Sequence, residues 1–137
     1  MNNIFNFNLH NPRNSYIVRQ ERIKREGSPY YTWIVPVTAA AATSVIAVQE
    51  QFNESRKYEP LDWLEIVNNE AALDLTLRIN NNDSLYVPAS SMRTVLGRAL
   101  WYIAVTNNGG ANTTLNKIIV TLRREPQTID KWAQRQR

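Results

Sequence analysis

The chain has 137 residues, 43% of them apolar, with a formal net charge of +4, one histidine and no cysteine. That length and apolar share suit one domain with appended ends better than two domains. The missing cysteines exclude a disulfide framework and a thiolate metal site, and a lone histidine excludes a multi-histidine metal centre. Sixteen asparagines, some clustered as in Asn80-Asn81-Asn82, mark turns, because the Asn side chain bonds nearby backbone and tolerates left-handed geometry. Charge is uneven along the chain. Residues 1–29 carry Arg13, Arg19, Arg22, Lys24 and Arg25 against Glu21 and Glu26, a net +3, and residues 123–137 carry Arg123, Arg124, Lys131, Arg135 and Arg137 against Glu125 and Asp130, again +3. Residues 58–122 hold four basic and six acidic side chains. Basic ends on a mildly acidic body suit a polyanion or the body of a neighbouring copy.

In chain order, Met1 is followed by polar, Asn-rich sequence rather than a basic n-region and an apolar h-region, so no signal peptide is expected and synthesis in the cytoplasm is the default. Phe5, Phe7 and Leu9 alternate with Asn6, Asn8 and His10. A period of two predicts an extended segment able to add to a sheet edge, its own or a neighbour's. Ser15 to Glu26 has two readings: a short helix capped by Ser15 and ended near Gly27, or a charged extended arm. Tyr30 to Val48 carries no charge over 19 residues, with Tyr30, Tyr31 and Trp33 at one end. As a membrane span it has the length, but it lacks Leu and Phe and contains Pro36, four Ser or Thr and five Ala. The soluble reading divides it into an extended Tyr31–Val37, a small-residue link and a strand over 43–50.

Farther on, Leu61 to Val67 reads as a strand ended by Asn68-Asn69, and Leu73 to Ile79 is strict alternation, the clearest half-buried strand in the chain. Asn80 to Asp83 make a turn, Leu85 to Val87 return, and Met92 to Leu96 form a short strand ended by Gly97. Ala99 to Thr106 is apolar on both sides of the pleat, which predicts a strand covered twice, by the core and either by an arm of the same chain or by a subunit interface at Trp101 and Tyr102. After a polar connection over 107–114, Ile118, Val120 and Leu122 point inward and Lys117, Thr121 and Arg123 outward. Thr128 can cap a short terminal helix with Ile129, Trp132 and Ala133 on its apolar side.

Short strands with turn signals every eight to twelve residues predict a mainly β chain: a β-sandwich or jelly-roll-like antiparallel domain over 30–123, an extended basic N-terminal arm over 1–29 and a basic C-terminal helix or tail over 124–137. No enzyme is expected. His10 is the only histidine, the four glycines match neither a P-loop nor a dinucleotide-binding fingerprint, and the carboxylate pairs Asp62 with Glu65 and Glu70 with Asp74 fall on solvent faces or in turns, where charge keeps a sheet soluble. No cofactor is implied. Expected contacts to neighbours come from Phe5, Phe7, Leu9, Trp101, Tyr102, Ile129 and Trp132. Expected polyanion contacts come from Arg19, Arg22, Lys24, Arg25, Arg123, Arg124, Lys131, Arg135 and Arg137, without any RRM, KH, zinc-finger or helix-turn-helix signature.

The stretches Pro60–Asn69, Leu73–Asn80, Leu85–Ala89 and Trp101–Gly109 resemble the small β-sandwich virion proteins of phages and archaeal viruses, in which short Asn-rich strands pack into a sandwich and terminal arms reach adjacent subunits. The resemblance is one of style, covers residues 58–123 and carries no diagnostic motif. It implies a capsid, decoration, spike or tail component that self-associates or joins other virion proteins. Two other functions fit the sequence: a nucleic-acid-binding module using the basic ends, and a membrane-anchored protein spanning at 30–48.

Overall fold

Strand-forming alternation builds eight strands. The computed structural model describes residues 12–127. Within them lie α1 (Pro12–Glu26), β1 (Tyr31–Ile34), β2 (Thr43–Ala47), a helical turn α2 (Val48–Gln51), a 3-10 helix (Asn53–Tyr58), β3 (Leu61–Asn68), β4 (Leu75–Ile79), β5 (Asp83–Val87), β6 (Ser91–Leu100), β7 (Tyr102–Asn107) and β8 (Ile118–Arg123). The protein is mainly β. All strand pairs are antiparallel, and they make two four-stranded sheets, one in the order β1-β8-β3-β6 and the other in the order β2-β7-β4-β5.

β4 and β8 each bury one face because their apolar residues recur every second position. In β4 these are Leu75, Leu77 and Ile79; in β8 they are Ile118, Val120 and Leu122, as the alternation there predicts. Leu64, Ile66, Leu100, Val120 and Leu122 of the first sheet join Ile46, Leu77, Val87, Ile103 and Val105 of the second in a single buried cluster. Full burial of each such side chain contributes about 1.5–3 kcal/mol before the entropy of ordering is set against it. By its contacts the chain divides into two compact units. One runs from Pro29 to Arg124 and holds both sheets; the other comprises, of the described residues, 12–28 and 125–127.

Several expectations change. The extended arm is helical from Pro12 to Glu26, so of the two readings of 15–26 the helix holds, but it begins at Pro12 and Ser15 lies inside it rather than capping it. Pro12 sits in the first turn, where its missing N–H costs nothing. Gly27, at φ 73°, ends the helix and donates its N–H to the carbonyl of Ile23. Residues 30–48 are not a helical span but β1, a loop and β2. Among the described residues no helix is long and apolar enough to cross a membrane. The strand expected over 43–50 stops at Ala47, where its pairing with β7 ends opposite Tyr102. Val48 instead opens a helical turn closed by Phe52 N–H on its carbonyl, 2.9 Å. Met92–Leu96 is the middle of a longer strand that runs through Gly97 to Leu100.

The strand expected over 99–106 is cut at Trp101. Ala99 and Leu100 belong to the first sheet, Tyr102 onward to the second. Asn80 makes this crossing: its Oδ1 accepts from the N–H groups of Trp101 (2.8 Å) and Tyr102 (3.1 Å), and its Nδ2 donates to the carbonyl of Ala99 (2.7 Å). On the outer face of β7 Ala104 is buried whereas Tyr102 is exposed, so double cover reaches only the middle of that strand. The expected opening strand over 2–10 and the expected helix from Thr128 lie outside the described residues.

Candidate functional site

Register assembles a surface on the outer face of the first sheet that no single strand displays. Ile34 of β1 lies opposite Ile119 of β8, Ile119 opposite Val67 of β3, and Val67 opposite Met92 of β6, an apolar row across all four strands. Two residues along, Thr32, Thr121, Glu65 and Thr94 form a polar row in the same way. Two further along, Arg123, Trp63 and Leu96 stand side by side. Tyr30, just before β1, completes that third row. Its ring meets Trp63 edge-on at 6.0 Å, and the Arg123 guanidinium lies 4.5 Å from its centroid while Nη1 donates to its hydroxyl at 2.7 Å. Arg123 thus holds the Tyr30 ring by a cation–π contact and a hydrogen bond, and Tyr30 in turn meets Trp63. Ile34 is 48% exposed, Met92 55% and Leu96 62%. Apolar side chains gathered this way on a surface are uncommon, since soluble monomers rarely expose large contiguous apolar patches.

The outer face of the second sheet is more polar. Thr43 and Thr106 share a hydroxyl–hydroxyl bond of 2.8 Å, Asn108 donates to Thr76, and Tyr86 donates to Asp74 at 2.6 Å. Asp74 also accepts the N–H of Ala89. These bonds, that from Tyr86 first, hold its carboxyl below the ordinary aspartate value and push the Tyr86 hydroxyl up. Where the chain crosses between sheets, Ala47, Gln49, Glu50, Asn80, Trp101 and Tyr102 line an open cleft of about 490 Å³. Two of the expected contact residues, Trp101 and Tyr102, therefore come together there. Glu50 is the one carboxylate among the described residues of that lining.

The remaining expected residues fall as follows. Arg19, Arg22, Lys24 and Arg25 are all exposed on α1, with Arg22 3.7 Å from Glu26. Arg124 is directed inward along the backbone: Nη1 donates to the carbonyls of Tyr58, Glu59 and Pro60, the shortest at 2.9 Å. Phe5, Phe7, Leu9, His10, Ile129, Lys131, Trp132, Arg135 and Arg137 lie outside the described residues. Of the carboxylates, Glu70 is buried, not on a solvent face, and its Oε1 accepts the N–H of Thr114 at 2.6 Å. Among the described residues no group of three His, Cys, Asp or Glu side chains could hold a metal ion. Sequence reasoning missed the rows from Ile34 to Met92 and from Tyr30 to Leu96. The only local signal for them was an apolar residue on the polar side of each strand.

Compared with protein-family models, with curated proteins and with solved structures, the chain matches none.

Proposed function

We propose that this chain is a non-enzymatic structural protein of a virus particle, made in the host cytoplasm and acting through contacts with further copies or with other virion proteins. Its two sheets are read as the stacked layers of an eight-strand jelly roll. The observation that carries this reading is the nesting of the strand pairs. β1 pairs with β8, β2 with β7, β3 with β6 and β4 with β5. Each pair joins strands equally distant from the two ends of the series, so the eight strands form one long hairpin bent at the β4–β5 turn. Rolling that hairpin brings β8 beside β3 and β7 beside β4, the two remaining pairings. Double-sheet jelly rolls serve in viral capsid proteins, lectins and cupins. A chain with one histidine does not supply a multi-histidine metal site of its own. The exposed rows on the first sheet, the basic ends and the Asn-rich strands favour assembly. Capsid, decoration, spike and tail roles all accord with this reading.

Light scattering and negative-stain electron microscopy of the purified full-length chain test it, beside a variant lacking residues 1–29. The full chain should form ordered particles or rings. The variant should keep its β circular dichroism and lose assembly. A full-length chain that stays monomeric at every accessible concentration removes the reading.

One observation favours a second reading, binding of nucleic acid. Helix α1 exposes Arg19, Arg22, Lys24 and Arg25 along one short element. Affinity for an oligonucleotide should then fall with salt, with a log–log slope of about −0.7 to −0.9 per phosphate contacted. A flat salt response removes it.

A further inference from the structure

We propose that the cleft where the chain crosses between the sheets binds a neutral sugar, packed on Trp101 and Tyr102 and held at its hydroxyls by Gln49 and Glu50. The inference goes beyond the assembly reading and does not rest on it. Successive residues of a strand point to opposite faces. Trp101 and Tyr102 line one cleft because the chain turns between them, leaving β6 at Leu100 and entering β7 at Tyr102. Their backbone is fully occupied in making that turn. Both N–H groups go to Asn80 Oδ1, the Trp101 carbonyl accepts the N–H of Val48 at 2.9 Å, and the Tyr102 carbonyl accepts that of Asn80 at 2.9 Å. The side chains are the opposite case. Tyr102 is 52% exposed and Trp101 half-buried, and among the described residues neither the indole N–H nor the phenol O–H has a hydrogen-bond partner. A backbone fixed in this way presents two rings that a ligand does not have to order, which favours binding.

The surroundings of the rings select the ligand. Ala47, paired with Tyr102, contributes only a methyl group to the lining. Gln49 and Glu50 follow on the helical turn α2, anchored by buried Val48. Among the described residues the lining carries no Lys or Arg, so a phosphate, sulfate or carboxylate would meet only the repulsion of Glu50. A purely apolar ligand would bury Gln49 and Glu50 without partners, at a cost. A quaternary ammonium suits rings beside a carboxylate, but it has no proton to donate to Glu50 and nothing to offer the Gln49 amide. A pyranose satisfies every group. Its C–H face lies against the electron-rich ring faces, one hydroxyl donates to the Glu50 carboxylate, and its neighbour both donates to and accepts from the Gln49 amide. The cleft of about 490 Å³ falls within the range of about 300–1,000 Å³ typical of small-molecule sites. A carboxylate at its wall disfavours a protein subunit there, because charged residues are depleted from the centres of subunit contacts.

The methyl glycosides of glucose, galactose, mannose and N-acetylglucosamine test this, with N-acetylneuraminic acid and tetramethylammonium beside them. Each is screened against the full-length chain by saturation-transfer NMR and titrated by tryptophan fluorescence. At the efficiency of ordinary small ligands, a methyl hexoside of about thirteen non-hydrogen atoms binds at about 1 mM. At least one neutral glycoside should bind in that range. Trp101→Ala should remove the transfer, and Glu50→Gln should weaken binding about fivefold, a neutral acceptor being roughly half as strong as an ionised one. Tyr86→Ala, which removes an equally exposed ring elsewhere on the second sheet, should leave it unchanged. Circular dichroism checks each variant; Glu50→Gln and Gln49→Ala, on the surface turn, decide the matter if Trp101→Ala does not fold. No transfer to any neutral glycoside at about 50 mM, where such a site would be saturated, overturns the proposal. So does binding that survives Trp101→Ala, or that neither Glu50→Gln nor Gln49→Ala weakens. Tighter binding of N-acetylneuraminic acid or tetramethylammonium than of every neutral sugar overturns the ligand class. Loss of assembly in Trp101→Ala without any sugar binding in the wild type assigns the cleft to a subunit contact instead.

Discussion

Asn68 and Asn107 are both fully buried, where asparagine is uncommon and must be hydrogen-bonded. Asn68 donates to the carbonyls of Leu73, Val87 and Pro88 and accepts the N–H of Glu70. Asn107 donates to the carbonyls of Thr38 (3.0 Å) and Ala111 (2.7 Å) and accepts the N–H of Gly109 (2.9 Å). One side chain thus ties the loop before β2 to the loop after β7, replacing backbone partners that irregular chain cannot find in a ladder. Asn107→Ala should cost about 2–3 kcal/mol, since each buried group left without a partner costs about 1–3 kcal/mol. Asn112→Ala, at an exposed position of the same loop, should fall within about 0.5 kcal/mol of wild type. Urea unfolding midpoints at constant slope measure both. Composition identifies asparagine as a turn former. It does not separate Asn107 from Asn112, because the difference lies in which carbonyls the fold brings within reach.

Strands with one strict alternation were legible in their inward residues, since a buried face needs nothing beyond local order of side chains: β4 and β8 lie within the expected 73–79 and 115–123 but begin only at Leu75 and Ile118. Elements whose limits depend on distant partners were not. The division of 99–106 into the end of β6 and β7 is made by Asn80, about twenty residues away, and both halves are equally apolar. The β4–β5 hairpin at the edge of the second sheet has a comparable device. Tyr86 in β5 donates to Asp74 just before β4, and Ala89 just after β5 donates to the same carboxyl. Asp74 is held below its ordinary value, so this contribution to stability is present above the unfolded aspartate value and is lost as pH falls through the lowered one. Tyr86 is held above its ordinary value, so on the alkaline side the contribution is present below the unfolded tyrosine value and lost as pH rises through the raised one. Tyr86→Phe should lower the urea midpoint at neutral pH, and its difference from wild type should shrink as pH falls through the Asp74 titration. A difference that stays constant into acid would show that the bond contributes nothing specific to the charged form.

At the scale of the whole molecule, a surface row such as Ile34, Ile119, Val67 and Met92 draws on four strands from residue 34 to residue 119. No window of sequence contains it. The same holds for the nesting of the strand pairs, where β1 must find β8 and β2 must find β7. Alternation of apolar and polar residues, the turn-forming asparagines and the basic ends were determined by the sequence alone, because each depends on neighbours a few positions apart. Which strand lies beside which, which face of each sheet is left bare, and which asparagines become buried ties were decided only by the tertiary structure. The physical reason is that side-chain periodicity specifies a buried face and leaves the choice of partner to long-range pairing, and it is the partner that brings the outward residues together.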